Sequence, residues 1–406
     1  MKCPKMNHFI ENKNNNDSDK ILFNNQPNFQ FKQNIVSDFN YSYWICETFD
    51  IYYPSKNNKN EPYLVYAPQI KKEIEIIKIS NQKLIKTLIE PSNFIEKVNI
   101  FYNEKKNNNY LLATDWDYIV YVWNLDDDYK FLFKINTFYT NYIYSFLIYF
   151  KLDYIITSSF GNANNFDYIK IFSLKDGSLL KNINNSDLNN TLKCLIWEKE
   201  ENDIYIVACC YEKIEIYNIL NGDLYANLET EQKDSCGDYY YSGFISNNNK
   251  YLFATSSEGF INIWNLYDKN LVKSVKFNSS FYKIIPWSIY VDYFKDKEDS
   301  KLYENLNNYM LVCDKLNNGV KVINFIFRKE LENINDKNNP NSEMFYKHEI
   351  ISFYENIEKS PIKNVKKFKH PIYGESLLTS NEDTNINLWI NNPPLIFIIL
   401  NINKIY

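Results

Sequence analysis

Two short patterns recur seven times in a fixed order along this chain, and that recurrence limits the fold more than any other feature. The first is a tyrosine, a few apolar residues, then a small or hydroxyl residue. It runs Tyr63 to Ala67, Tyr110 to Thr114, Tyr154 to Ser158, Tyr205 to Cys209, Tyr251 to Thr255 and Tyr309 to Cys313, and Ser376 to Ser380 is a last copy without the tyrosine. The second alternates apolar and polar residues before a large one: Ile74 to Lys78, Val120 to Asn124, Ile169 to Ser173, Ile214 to Asn218, Ile261 to Asn265, Val320 to Asn324 and Ile386 to Ile390. Short apolar runs bounded by Asn, Asp and Gly predict buried strands. Period-two alternation predicts a strand with one face buried.

Five copies continue into a third strand: Leu84 to Leu88, Phe131 to Ile135, Leu179 to Ile183, Leu224 to Leu228 and Leu271 to Val275. Asp176-Gly177 and Asn221-Gly222 supply the positive-φ residues of tight hairpins between them. With an upstream strand such as Lys193 to Trp197 or Gly243 to Ser246, each repeat is an antiparallel meander of about four strands in about 45 to 65 residues. The expectation is an all-β, seven-bladed β-propeller of four-stranded antiparallel blades. Two insertions interrupt the late repeats. Lys295 to Asn308 reads as charged and mobile, and within Lys329 to Ser360 the apolar stretch Met344 to Tyr354 reads as an outer strand or docked arm.

From about Tyr41 to Ile390 the chain resembles the WD40 family. Trp123-Asn124 and Trp264-Asn265 stand where that family has Trp-Asp, with Trp389 in the last copy. The family's acidic residue six places earlier is matched by Asp117, Glu258 and Asp383, and its hydroxyl residue by Thr114, Thr255 and Ser380. The chain departs from the family in having no Gly-His dipeptide and only His8, His348 and His370, so the His–Asp network of the family cannot be complete. The resemblance implies a protein-binding scaffold whose top rim, beside the central channel, is the docking surface. Lipid-binding propellers of autophagy use a Phe-Arg-Arg-Gly motif, which a chain whose one arginine is Arg328 cannot form.

Composition narrows the function classes. Fifty acidic against 45 basic residues give no footprint for nucleic acid. One arginine leaves little capacity for bidentate anion recognition. Seven cysteines, at 3, 46, 194, 209, 210, 236 and 313, form no C-x-x-C pair and fit reduced thiols in a cytosolic or nuclear setting. The N-terminus has no signal-peptide core, and the longest apolar run, Leu395 to Leu400, falls short of the roughly 20 residues of a membrane helix. The histidines show no ligand or triad spacing, so neither metal, cofactor nor enzymatic activity is expected.

Candidate partner-binding residues are aromatics in or beside rim loops: Trp116 between Asp115 and Asp117, with Tyr142, Phe160, Tyr239 and Phe281. A second class of reading, docking to a membrane surface or other anionic ligand, rests on Lys363, Lys366, Lys367 and Lys369, for which a solvated strand face is the competing account. The chain divides into a polar tail at 1–28, expected to be disordered, the propeller at 29–391, and an apolar segment at 392–406 packed on the last blade. Two segments compete to complete the seventh blade: Phe29 to Val36, as the family commonly closes, and Leu395 to Ile399, favoured by chain order; the reading leans to the former. Trp123, Trp264 and Trp389 should be buried at equivalent places.

Overall fold

A computed structural model describes residues 29–36, 48–54, 61–68, 71–159, 169–183, 191–211, 213–229, 239–246, 248–277, 281–286, 303–314, 317–330, 343–355, 360–381 and 385–391. These residues form seven antiparallel sheets of four strands each. No helix long and apolar enough to cross a membrane occurs among them. The inner strands are Phe49–Tyr52 in blade 1, Ile95–Asn103 in blade 2, Ile143–Tyr149 in blade 3 and Lys193–Glu200 in blade 4. Tyr240–Ile245, Phe281–Pro286 and Ile362–His370 follow in blades 5, 6 and 7. Each inner strand touches those of both neighbouring blades, and blade 7 meets blade 1, so the ring is a closed seven-bladed propeller.

The two sequence patterns are the second and third strands of each blade, and their register explains their composition. The polar residue of the second pattern lies opposite the fourth residue of the first: Ala113 faces Tyr121, Thr157 faces Lys170, Ala208 faces Glu215, Ala254 faces Asn262 and Thr379 faces Asn387. The small residue makes room for the long one. Here the structure corrects the expectation of a single buried face, because Tyr121, Lys170, Glu215, Asn262 and Asn387 are all buried. Both faces of a central strand pack against neighbouring blades, so these polar groups must find partners inside. Lys170 donates to the Thr137 carbonyl at 2.8 Å, and Glu215 accepts from Tyr217 at 2.7 Å. The outer strands, by contrast, expose Leu84, Leu179, Leu180 and Leu224.

The three tryptophans occupy one register position. Trp123 lies opposite Leu111, Trp264 opposite Leu252 and Trp389 opposite Leu377, and all three are buried as expected. Phe29–Val36 forms the outer strand of blade 7, with Phe31 opposite Trp389 and the two rings edge to face at 6.0 Å. The N-terminal segment therefore completes that blade; Leu395 to Ile399 and the 1–28 and 392–406 segments lie outside the described residues. In blade 6 the expected mobile insertion is partly corrected. Residues 303–308 extend the second strand, Tyr303–Asp314, against Phe325 to Glu330. The extension is anchored because Phe325 and Phe327 are buried against Phe253 and Tyr251 of blade 5, with ring centroids at 5.7 and 4.6 Å. Met344 to Tyr354 lies in the outer strand Glu343–Glu355.

A belt of side-chain bonds from the inner strands ties neighbouring blades together. Asp50 of blade 1 accepts the Ile100 amide of blade 2 at 2.9 Å, and Lys97 donates to the Tyr144 carbonyl of blade 3 at 2.6 Å. Ser145 accepts the Cys194 amide of blade 4 at 3.0 Å, and Ser242 of blade 5 accepts the Ile284 amide of blade 6 at 3.3 Å. Lys283 donates to Asn364 of blade 7 at 2.6 Å, and Lys366 pairs with Asp50 at 2.9 Å, closing the ring. Between blades 4 and 5 the inner strand packs closely: a Cβ on Gly243 would lie 3.6 Å from the Cys209 sulfur of blade 4, and 3.0 Å from the Phe253 carbonyl within its own blade. The bonds to lysine and Asp50 contribute about 1.5–3 kcal/mol each and the neutral serine bonds about 0.5–1.5 kcal/mol. They explain why an inner strand carries buried lysines.

Candidate functional site at the channel mouth

One end of the ring gathers the segments that enter each inner strand and the turns between second and third strands. In blade 2 the turn follows Asn108–Asp115, and its geometry is set by Asp115, which is fully buried. One carboxylate oxygen accepts from the Tyr121 hydroxyl at 2.8 Å and the Ser92 hydroxyl at 3.1 Å; the other accepts the amides of Asp117 and Ile119, both at 3.1 Å. The family position, Asp117, is instead exposed and bonded to Asn93 at 3.1 Å. Glu258 is likewise exposed, and Asp383 lies outside the described residues.

This anchored turn holds Trp116 outward. Its side chain is 51% exposed, resting edge to face on Phe94 at 5.4 Å, and its amide donates to the Phe94 carbonyl at 3.1 Å. Tyr118, at the end of the turn, adopts a φ of 60°. A bulky residue in the left-handed region persists only where its surroundings over-determine it, and such positions cluster at functional sites. Here the Tyr118 amide donates to the Asp115 carbonyl at 3.0 Å and its carbonyl accepts from Thr137 at 2.6 Å. The strained backbone brings the phenol edge to face with Tyr142 at 5.9 Å.

A second feature repeats around the mouth. The pairing of inner and second strands skips one residue at the same place in five blades: Glu96, Tyr144, Tyr241, Tyr282 and Lys363. A β-bulge re-aims the skipped side chain. The Tyr144 phenol is pushed up to about 12 by burial, then by the nearby charges or phenols of Glu96, Tyr142, Tyr239 and Tyr241. Tyr239 and Tyr241 belong to blade 5 and Tyr144 to blade 3, so these phenols lie within electrostatic reach of one another past blade 4. Tyr239 stacks on Tyr241 at 5.9 Å and packs on Tyr211 at 4.5 Å. Glu96 is 2% exposed, one of its oxygens has no hydrogen-bond partner among the described residues, and burial pushes its carboxyl up to about 8.

The structure therefore brings Trp116, Tyr142 and Tyr239 to one end of the ring, joined by Tyr118, Tyr144, Tyr241 and Glu96, which sequence reasoning missed. Phe160 lies outside the described residues, and Phe281 starts the inner strand of blade 6 with its backbone paired to Asp314. The lysines do not form one exposed patch. Lys363 is buried, Lys366 is committed to Asp50, and Lys367 is half-buried near Glu375 at 3.9 Å, its ammonium lowered by burial; Lys369 is exposed. Among the described residues no group of three or more His, Cys, Asp or Glu is placed to hold a metal ion.

The sequence matches no protein-family model and no curated protein. Among solved structures the chain is similar to BBS1N, in a crystal structure described as BBS1N in complex with ARL6DN, soaked with lead. The TM-score is 0.60 at 10% identity, covering 90% of this chain and 98% of that one. At that identity the likeness shows the fold. Matching chains number 1475, so this architecture is shared too widely to select a function by itself.

Proposed function

We propose that this protein is a divergent WD40-type propeller that serves as a non-catalytic binding platform in the cytoplasm or nucleus. Its channel-mouth face holds a segment or loop of a partner protein. The observation that carries this reading is Trp116, a large aromatic half-exposed on a turn already immobilised by Asp115. A side chain ordered before binding loses little entropy on association, and buried tryptophans and tyrosines dominate interface energetics. That BBS1N is described in complex with another protein fits a protein-interaction role.

The test is quantitative affinity purification of the tagged chain and its Trp116→Ala variant. The variant should bind its principal partner more weakly by about 2 kcal/mol or more while melting almost normally, because the indole contributes little to the core. An unchanged partner list would remove this face from the interface.

A further inference from the structure

We infer that the channel mouth is a receptor for one basic side chain, a lysine or arginine carried by the partner segment, with Glu96 as its counter-charge and Tyr118, Tyr142, Tyr144, Tyr239 and Tyr241 as its walls. This rests on the binding-platform reading above and names the chemistry of the residue that enters.

Glu96 is almost fully enclosed, with one carboxyl oxygen lacking a hydrogen-bond partner among the described residues. A buried polar group without a partner is costly, and without a bound cation that cost is met by keeping the carboxyl neutral. Its sequence neighbour Lys97 is near enough to favour the charged form, but its ammonium donates to the Tyr144 carbonyl in the inter-blade belt, and no hydrogen bond to the second Glu96 oxygen is formed among the described residues. Glu96 is also not part of the strand ladder, since the register skip between Ile95 and Lys97 leaves it opposite no residue. It is the one acidic residue among the five skipped positions.

The surroundings select the ligand. Phenol rings favour a cation over their faces, an interaction that strengthens when water is excluded. Tyr118 and Tyr144 both lie within electrostatic reach of Glu96, and Tyr144 is in turn within reach of Tyr142, Tyr239 and Tyr241. A neutral donor would satisfy the oxygen of the protonated carboxyl without ionising it; an ammonium or guanidinium both satisfies the oxygen and stabilises the ionised form. Enclosure of the carboxylate demands a narrow, extended ligand, which the aliphatic stem of lysine or arginine supplies. The mouth continues outward through Tyr142 and Tyr118 to Trp116, so the backbone of the same segment can lie across the exposed indole.

Occupancy is coupled to a proton. With no cation present the Glu96 carboxyl is held protonated up to about pH 8 by burial, opposed by Lys97 and reinforced by Asp115. The other groups within its electrostatic reach are the Tyr118 and Tyr144 phenols, both raised and therefore neutral. A cation that binds the carboxylate must expel that proton. Affinity should therefore rise as the pH climbs towards about 8 and level off above it, and binding below that pH should release a proton.

The experiment selects ligands for the full-length protein from a random-peptide display library. Enriched peptides are expected to share a lysine or arginine. Its replacement by norleucine, or Glu96→Gln in the protein, should weaken binding by about thirtyfold or more. Calorimetry of the wild-type protein in buffers of differing ionisation enthalpy should show the proton release, a readout independent of whether any variant folds. Ligands that need Trp116 but tolerate norleucine and Glu96→Gln, or that release no proton, overturn this inference and leave the platform reading standing. Failure to enrich any ligand, or ligands indifferent to Trp116 and Glu96 alike, overturns both.

Discussion

Blades 2 and 5 build the same turn from different residues. Each places a tryptophan, Trp123 or Trp264, opposite the leucine after a tyrosine, and each turn has a positive φ at the equivalent residue, 60° at Tyr118 and 83° at Gly259. In blade 5 glycine adopts that conformation without steric cost, and Ser256, at the position of Asp115, accepts one amide, that of Phe260 at 3.2 Å. The Trp264 indole N–H and the side-chain oxygen of Asn262 have no hydrogen-bond partner among the described residues. In blade 2 a buried carboxylate bonds four donors, and the Trp123 indole reaches Glu90 at 3.2 Å. A single hydroxyl acceptor with glycine at the positive-φ position is enough to form the turn, as blade 5 shows. The fuller polar network of blade 2 coincides with a strained tyrosine and an outward tryptophan, which is where rigidity serves binding.

Replacing either tryptophan should have the largest effect. Trp123→Ala and Trp264→Ala should each lower stability by about 3–5 kcal/mol in denaturant titrations, because the cavity dominates and the indole hydrogen bond is secondary. A near-normal Trp264→Ala protein would show that blade 5 does not carry its share of the core. The next contrast lies in the turn anchor. Asp115→Ala strips four donors of their acceptor and should cost about 2–3 kcal/mol and weaken partner binding, whereas Ser256→Ala should cost about 1 kcal/mol and leave binding intact. Equal costs would mean that the carboxylate adds nothing to a hydroxyl here. The smallest effect concerns the positive-φ residue. Tyr118→Gly should stay within about 1 kcal/mol of wild type, since relief of strain offsets lost contacts, while reducing partner affinity; Gly259→Ala should destabilise by about 1 kcal/mol or more. Unimpaired binding by Tyr118→Gly would detach the strain from function.

Much of the fold is legible because it is local. The tyrosine-led runs and the alternating runs are neighbouring strands of one meander, so their periodicity and the small residue opposite each long polar one are written within about 20 residues of one another. The tryptophan register and the closing strand Phe29–Val36 could also be read from spacing and from the need to cover an edge. The inner strands were harder. Phe94-Ile95-Glu96-Lys97 looks like any alternating strand, and only alignment with Tyr142-Ile143-Tyr144-Ser145 and Tyr239-Tyr240-Tyr241-Ser242 would have singled out the skipped position. Asp115 is not legible as the anchor of its turn, because the resemblance points to Asp117, two residues downstream.

By itself, then, the sequence determined the strand alternation, the sevenfold repetition and the exposure of Trp116 in a tight turn, since each follows from backbone periodicity, turn chemistry and side-chain size over a short span. The tertiary structure decided which polar residues would be enclosed. Lys97, Lys283, Asn364 and Asp50 bond partners contributed by the next blade, tens of residues or more away in sequence. The environment of Glu96 was likewise set by packing, as its desolvation and the Tyr144 phenol within its reach arise only when blades 2 and 3 pack together. Hydration of a carboxylate is lost to whatever surrounds it in space, and chain order carries no record of that neighbourhood.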